Sequence, residues 1–358
     1  MKNKRYFIIT FGCQANEADS EKIAASLHKK NYRLATKKEK ADLIVINTCS
    51  VRRAAEDKVL GAVRNLEKIK KRKKIIITGC ILYHDKEWLK TEFPESIKFI
   101  PLKKLIDNKI NPRRKSKKHA WIPIIEGCNN FCSYCVVPFS RGREKSRPVE
   151  EILCEVENIV KKGVKEITLL GQNVNSYHKD SELKTENQLL QKEIRNLKKQ
   201  YNNNFAILLG LLNKIDGLKK IKFFTSNPCD LSDGIIKSLK LPKMGRYLHL
   251  PVQSGDNEIL KKMNRKYTAE QYLRLVTKIK KEIPDIEIGT DIIVGFPGET
   301  KKQFQNTVKL CKKAGFCLAY IAKYSSRPGT AAYGLGDDVP FAEKKRRRQI
   351  LNNLINKR

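Results

Sequence analysis

Twice along the chain, short runs rich in Val, Ile and other apolar residues alternate with helical stretches, and this alternation limits the possible folds more than any other feature. Residues 6–11, 43–47, 75–79 and 97–100 read as strands, with helices over 17–30 and 51–69 and a shorter one after 79. Strands joined through helices pair in parallel, so the first hundred residues are expected to form an α/β domain. A second series begins at Trp121, with strand signals at 121–125, 166–170, 220–225, 247–250, 287–294 and 316–324. Two of its helices carry start signals, Thr268 with Gln271 and Thr300 with Gln303, in which a hydroxyl and an amide side chain satisfy orphan backbone donors. Repeated β-α units of this kind favour a barrel or an open, partial barrel.

The basic, proline-containing stretch 111–118 separates the two series and reads as a linker. The expected organisation is a domain over 1–111, a basic linker over 112–119 and a second domain over 120–358. Residues 178–204 break the rhythm. They are almost entirely polar, with Leu183, Leu190, Ile194, Leu197 and Tyr201 at roughly heptad spacing, and read as an exposed helical insertion too short for a stable coiled coil.

With 358 residues, each domain can bury its own core without disulfides. The ten cysteines are irregularly spread, and the first apolar run, 6–11, is too short for a secretion signal. A cytoplasmic, reducing setting is expected, with cysteine used for metal or redox chemistry. No apolar stretch approaches the roughly 20 residues that span a bilayer. The 74 basic and 38 acidic residues give a net charge of +36, an attractive field for a polyanion such as nucleic acid. Lysine drift in an AT-rich genome gives a similar excess, so charge alone decides little.

The sharpest chemical signal is Gly127-Cys-Asn-Asn-Phe-Cys-Ser-Tyr-Cys135, placed just after the first strand of the second series. Cys128, Cys132 and Cys135 lie within eight residues. Soft thiolates this close on one loop can grip three irons of a 4Fe-4S cube and leave the fourth without a protein ligand. A structural zinc site would want paired half-sites and a fourth ligand nearby. Cys13, Cys49 and Cys80 each lie just beyond one of the first three strands. Carboxyl ends of parallel strands meet on one sheet edge, where such folds bind ligands, so these three cysteines are expected to share a second cluster site. Burial as inert residues is the alternative for any one of them. Cys154, Cys229, Cys311 and Cys317 read as packing residues. Gln172, Gln253 and Asp291 lie at successive strand ends as candidates to bind a cofactor, with loop or capping roles as the alternative.

The Cys-x3-Cys-x2-Cys run, with an aromatic before its last cysteine, resembles the signature of the radical S-adenosylmethionine (radical SAM) superfamily. Phe11-Gly-Cys-Gln-Ala-Asn16, Asn47-Thr-Cys-Ser-Val-Arg52 and Thr78-Gly-Cys80 are similar to the first domain of the methylthiotransferases within it. So is the continuation Val136-Val-Pro-Phe-Ser-Arg-Gly-Arg-Glu-Lys-Ser-Arg-Pro148. Ser50-Val-Arg52, Arg141-Gly-Arg-Glu144 and Ser146-Arg-Pro148 resemble the branch of tRNA 2-methylthio-isopentenyladenosine synthases. The likeness extends through Gly171-Gln-Asn-Val-Asn-Ser-Tyr177, His249-Leu-Pro-Val-Gln-Ser-Gly255, Met263-Asn-Arg265 and Gly295-Phe-Pro-Gly-Glu-Thr300 to Tyr324-Ser-Ser-Arg-Pro-Gly-Thr330.

The resemblance implies a Rossmann-like or flavodoxin-like first domain, with an auxiliary 4Fe-4S cluster on Cys13, Cys49 and Cys80. It implies a partial (β/α)6 barrel carrying S-adenosylmethionine and a 4Fe-4S cluster on Cys128, Cys132 and Cys135, the two clusters facing one another. One S-adenosylmethionine would methylate a sulfur on the auxiliary cluster, and a second would yield the radical that activates carbon 2 of an adenine beside the anticodon of tRNA. The electron donor would be a flavodoxin or ferredoxin, and the enzyme a monomer. Arg141, Arg143 and Arg147 follow the cluster loop and are candidates for RNA phosphates, as are the basic runs 70–74 and 113–118. Threonylcarbamoyl-adenosine or a ribosomal-protein aspartate are alternative targets, and a non-catalytic RNA-binding remnant is a reading of another class. Relatives commonly carry Met where Ala15 stands and His where Asn227 stands, and most continue into a TRAM β-barrel, which is not expected here.

Overall fold

A computed structural model of the chain describes residues 4–50, 53–69, 73–107 and 109–357, with backbone only at 53 and 54. The chain forms two compact units: Met1–Lys117 with Val136–Gly142, and Lys118–Cys135 with Arg143–Arg358.

In the first unit the chain order is β1 (Arg5–Phe11), α1 (Gln14–Lys29), β2 (Arg33–Leu34), β3 (Leu43–Thr48), α2 (Arg53–Glu67), β4 (Lys74–Gly79), α3 (Lys86–Glu92), β5 (Ile97–Phe99) and α4 (Leu102–Leu105). The five strands are parallel in the order β2-β1-β3-β4-β5, the doubly wound order of flavodoxin-like folds. β3 is buried along its whole length. Its Leu43 and Val45 pack with Ile23 and Leu27 of α1 on one face, and its Ile44 and Ile46 with Val59 and Val63 of α2 on the other. A strand covered on both faces needs an unbroken apolar run, which is why this segment was legible. β2 was not: two exposed edge residues carry no period.

The basic linker is not free. Arg114 pairs with Glu21 at 2.9 Å and Lys115 with Glu17 at 2.5 Å, both on α1, and the Arg113 amide donates to the Glu21 carbonyl. Carboxylates of the protein itself therefore neutralise part of the stretch expected to meet RNA. In the other basic run, 70–72 lie outside the described residues.

In the second unit β6 (His119–Pro123) leads into a short hairpin, β7 (Ile125–Glu126) with β8 (Lys145–Ser146), interrupted by α5 (Val137–Ser140), which groups with the first unit. Then follow α6 (Val149–Lys161), β9 (Glu166–Leu170), α7 (Gln188–Tyr201), α8 (Asn204–Asn213), β10 (Lys220–Phe223), α9 (Asp233–Ser238), β11 (Tyr247–His249), α10 (Asn257–Lys262), α11 (Ala269–Glu282), β12 (Glu287–Val294), α12 (Lys301–Ala314), β13 (Leu318–Lys323) and α13 (Phe341–Ile355). β6, β9 and β10 form one parallel sheet, and β11, β12 and β13 another. A parallel bridge links Ile221 of β10 to Met244, in the segment just before β11. Both capping boxes expected from sequence form, at Thr268 on α11 and Thr300 on α12.

The segment 178–204 is mostly exposed, as its polarity suggests, but one face of its helix is docked. Ile194, Leu197 and Tyr201, spaced i, i+3 and i+7 on α7, are buried in the main core beside the almost wholly buried α8. One apolar stripe suffices to dock a helix whose average composition is polar. The last helix likewise has a buried side: Arg347 on α13 pairs with Glu299 at 2.6 Å, and Leu351 and Ile355 join the core. Among the described residues no helix is long and apolar enough to cross a membrane.

Candidate metal centres and cofactor site

In the second unit the chain leaves β7 and turns at Gly127, whose positive φ of 79° suits glycine. The Gly127 amide donates to Gln172 Oε1 at 2.7 Å, just past the end of β9. Gln172, expected to hold a cofactor, thus fixes the mouth of the cysteine loop. The loop's far side is held by the segment after α10. Ser133 donates from its amide to the Met263 carbonyl (3.1 Å) and from Oγ to that of Lys262 (2.7 Å), and Asn264 donates to the Phe131 carbonyl (2.9 Å). Two sulfurs accept side-chain donors, Cys128 from Asn130 and Cys132 from Arg265, each at 3.4 Å. Arg265 is anchored in turn by the Pro251 carbonyl and the Tyr267 hydroxyl. Burial pushes the Cys128 thiol above its usual range, so a metal that displaces the proton would supply what the protein alone does not.

Beyond the loop, the ends of β9 and β10 carry buried polar atoms with no partner: both amide atoms of Asn175, Oδ1 of Asn173 and Oγ of Ser226. Thr225 and Gln253 adopt φ of 70° and 68°, an uncommon region for such residues. The Gln253 backbone bridges to β12, donating to the Asp291 carbonyl and accepting from Ile293. Asp291 lies inside β12 rather than at its end. Its Oδ2 stands 3.0 Å from His249 Nε2, and His249 Nδ1 stands 3.1 Å from the Tyr247 hydroxyl. Unsatisfied buried amide and hydroxyl groups fit a polar ligand such as S-adenosylmethionine.

In the first unit the three cysteines stand just past three strand ends of one sheet. Cys13 caps α1, Cys49 follows β3, and Cys80 opens the turn after β4; the Cys49 amide donates to the Phe11 carbonyl at 2.7 Å, aligning the first two strand ends. Behind them, Asn47 donates to the Asn16 carbonyl (2.8 Å) and to Ser20 Oγ (3.0 Å), while the Asn16 amide donates to Asn47 Oδ1 (3.2 Å). Asn16 also accepts from the Cys13 thiol at 3.4 Å. A Cys80–Cys49 hydrogen bond, helped by Arg141, draws the Cys80 thiol down to about 6. Gly79, at φ 94°, admits this approach: a Cβ there would stand 2.4 Å from the Thr48 carbonyl oxygen. Among the described residues no three His, Cys, Asp or Glu side chains close on a single ion. Cubane ligands grip separate irons and need not converge that far.

The Radical SAM superfamily description matches residues 122–311, and the uncharacterized protein family UPF0004 matches residues 5–100. A tRNA-2-methylthio-N(6)-dimethylallyladenosine synthase of Thermoanaerobacter sp. (strain X514) is 43% identical over 99% of this chain and 79% of its own length. The enzyme of that name from Thermotoga petrophila is 42% identical over 98% of this chain and 81% of its own. The chain belongs to the radical SAM methylthiotransferase family. Solved structures share the fold: the radical S-adenosylmethionine methyltransferase TsrM of Kitasatospora setae has a TM-score of 0.57 at 12% identity, over 92% of this chain and 75% of that one. The cobalamin-dependent radical enzyme OxsB has a TM-score of 0.55, over 98% of this chain and 56% of that one.

For a radical SAM methylthiotransferase, the three candidate RNA-binding arginines fall in unlike surroundings. The Arg141 side chain is buried and pairs with Asp19 at 2.7 Å. Arg147 pairs with Glu155 at 2.8 Å and donates to the Pro123 carbonyl, with Glu151 at 3.7 Å. Both charges are already met by carboxylates, which removes the main ground for expecting them to bind phosphate. Arg143 is exposed and lies over the Phe131 ring at 4.2 Å. Of the four cysteines expected to be packing residues, only Cys311 is buried; Cys154, Cys229 and Cys317 are exposed. Sequence reasoning missed Asn16, Asp19, Asn47, Asn264 and Arg265. Several stand in the quoted motifs, but spacing assigns them no role until tertiary structure brings them to a sulfur or to the loop.

Proposed function

We propose that this chain is a tRNA methylthiotransferase that adds a methylthio group to carbon 2 of the isopentenylated adenosine beside the anticodon. The observation that carries the reading is the presence of two cysteine triplets, one on a loop and one at three strand ends, in a chain 43% identical to a synthase of that name. When bound, S-adenosylmethionine and two 4Fe-4S clusters supply a 5′-deoxyadenosyl radical and the sulfur to be methylated and transferred.

Cys128, Cys132 and Cys135 hold the first cluster and leave one of its irons without a protein ligand. Arg265 and Asn130 hydrogen-bond sulfurs of this set, and Gln172 fixes the loop at Gly127. In this reading the six parallel strands make a partial barrel, and Asn175, Ser226, Gln253 and Asp291 bind S-adenosylmethionine at its strand ends. His249 orients Asp291 through Oδ2. Cys13, Cys49 and Cys80 hold the second cluster. An aromatic carbon–hydrogen bond has no useful acidity, so no side chain is assigned as general base. Arg143 is the arginine left to meet an RNA phosphate. A flavodoxin or ferredoxin supplies electrons to a cytoplasmic monomer.

The test is mass spectrometry of tRNA nucleosides from a strain lacking this chain. The methylthio-isopentenyl nucleoside should vanish and its isopentenyl precursor accumulate. Its persistence overturns the assignment, and loss of methylthio-threonylcarbamoyl-adenosine instead moves the target to that base. Anaerobic reduction with S-adenosylmethionine should release 5′-deoxyadenosine, which a non-catalytic RNA-binding protein does not do.

A further inference from the structure

Arg141 follows the cluster loop closely in sequence, yet its side chain is only 8% exposed, and that of its partner Asp19 only 11%. The helix that leads to it, α5, packs on the turn that begins with Cys80. The guanidinium lies close enough to Cys80 and Cys13 for their charges to interact. A buried ion pair adds little stability relative to an apolar pair of the same size, so the fold alone gives weak reason for a charge here. Three thiolates and their cluster would make the site anionic. A fixed cation beside them, in surroundings that screen poorly, favours the more reduced and more negative state. Asp19 opposes this in part, since it anchors the guanidinium and offsets its charge.

We infer that Arg141, held by Asp19, is a positioning residue that sets the reduction potential of the second cluster rather than a contact for RNA. The inference rests on the reading that Cys13, Cys49 and Cys80 carry that cluster.

The test uses the full chain with C128A, C132A and C135A, reconstituted anaerobically so that only the second cluster remains, and titrated potentiometrically with detection by electron paramagnetic resonance at fixed pH. R141Q should move the potential to more negative values, and D19N, which frees the guanidinium of its counter-charge, to more positive ones. R141K should move it in the R141Q direction by less, because the charge survives while the fork geometry is lost. A purely architectural pair would not give opposite signs. Equal potentials, or shifts of one sign for R141Q and D19N, overturn the inference. If R141Q does not retain a cubane, D19N and R141K carry the sign test. If the parent triple variant holds no cubane at all, the second-cluster reading itself falls, and the inference with it.

Discussion

In the proposed reading, the two cysteine triplets solve one problem, presenting three thiols to a cluster, by opposite routes. In the second unit all three lie on one loop, and the fold's task is to brace that loop through Gln172, Ser133, Asn264 and Arg265. In the first unit no two ligands are within thirty residues of one another, and a parallel sheet with an Asn16–Asn47 clamp brings the strand ends into register. A local site is specified by a short motif and can be weakened piecemeal, whereas a dispersed site stands or falls with the sheet that assembles it.

The largest effects should separate the two sites outright. C49A should remove half of the iron bound by anaerobically reconstituted protein and abolish methylthio transfer, while 5′-deoxyadenosine formation persists. C132A should abolish both activities. Iron counting with chromatography of the products checks this, and loss of 5′-deoxyadenosine in C49A would break the division of labour.

Next in size is a core effect. L197A, on the helix that the sequence presented as an exposed insertion, should cost about 2–4 kcal/mol in denaturant unfolding, as for a buried leucine, against almost nothing for L189A on the exposed side. Equal effects would return that segment to the surface.

N47A sharpens the contrast between local and dispersed assembly. It strands the buried Asn16 side-chain amide, so about 1–3 kcal/mol should be lost, with lower occupancy of the second cluster and none lost from the first. Iron counts in N47A combined with C132A measure that occupancy directly.

The smallest expected effect concerns α13. Hydrogen bonds from Arg346, then from Arg347, offset its burial and hold Glu343 down to about 2. Its folded value is depressed, so its stabilisation is present above the ordinary glutamate range near 4.5 and is lost as pH falls through that range toward 2. On this solvent-screened helix the gain is under about 1 kcal/mol. E343Q should therefore lower stability slightly at neutral pH and make the acid limb of thermal unfolding shallower; an unchanged limb would deny the pair any role.

The amino-acid order alone determined a great deal here. Unbroken apolar runs such as 43–46 fixed the buried strands, side-chain chemistry at Thr268 and Thr300 fixed two helix starts, and the Cys128 run pointed to a cluster because its three thiols are neighbours along the chain. What depends on only a few contacts was invisible: the two-residue edge strand Arg33–Leu34, the stripe Ile194, Leu197 and Tyr201 within a polar average, and the partners of each arginine. Charge shows in a sequence, but its neutralisation does not. Only the tertiary structure decided that Arg141 and Arg147 face carboxylates while Arg143 faces solvent, because an ion pair between residues 122 positions apart, such as Arg141 and Asp19, leaves no periodic trace.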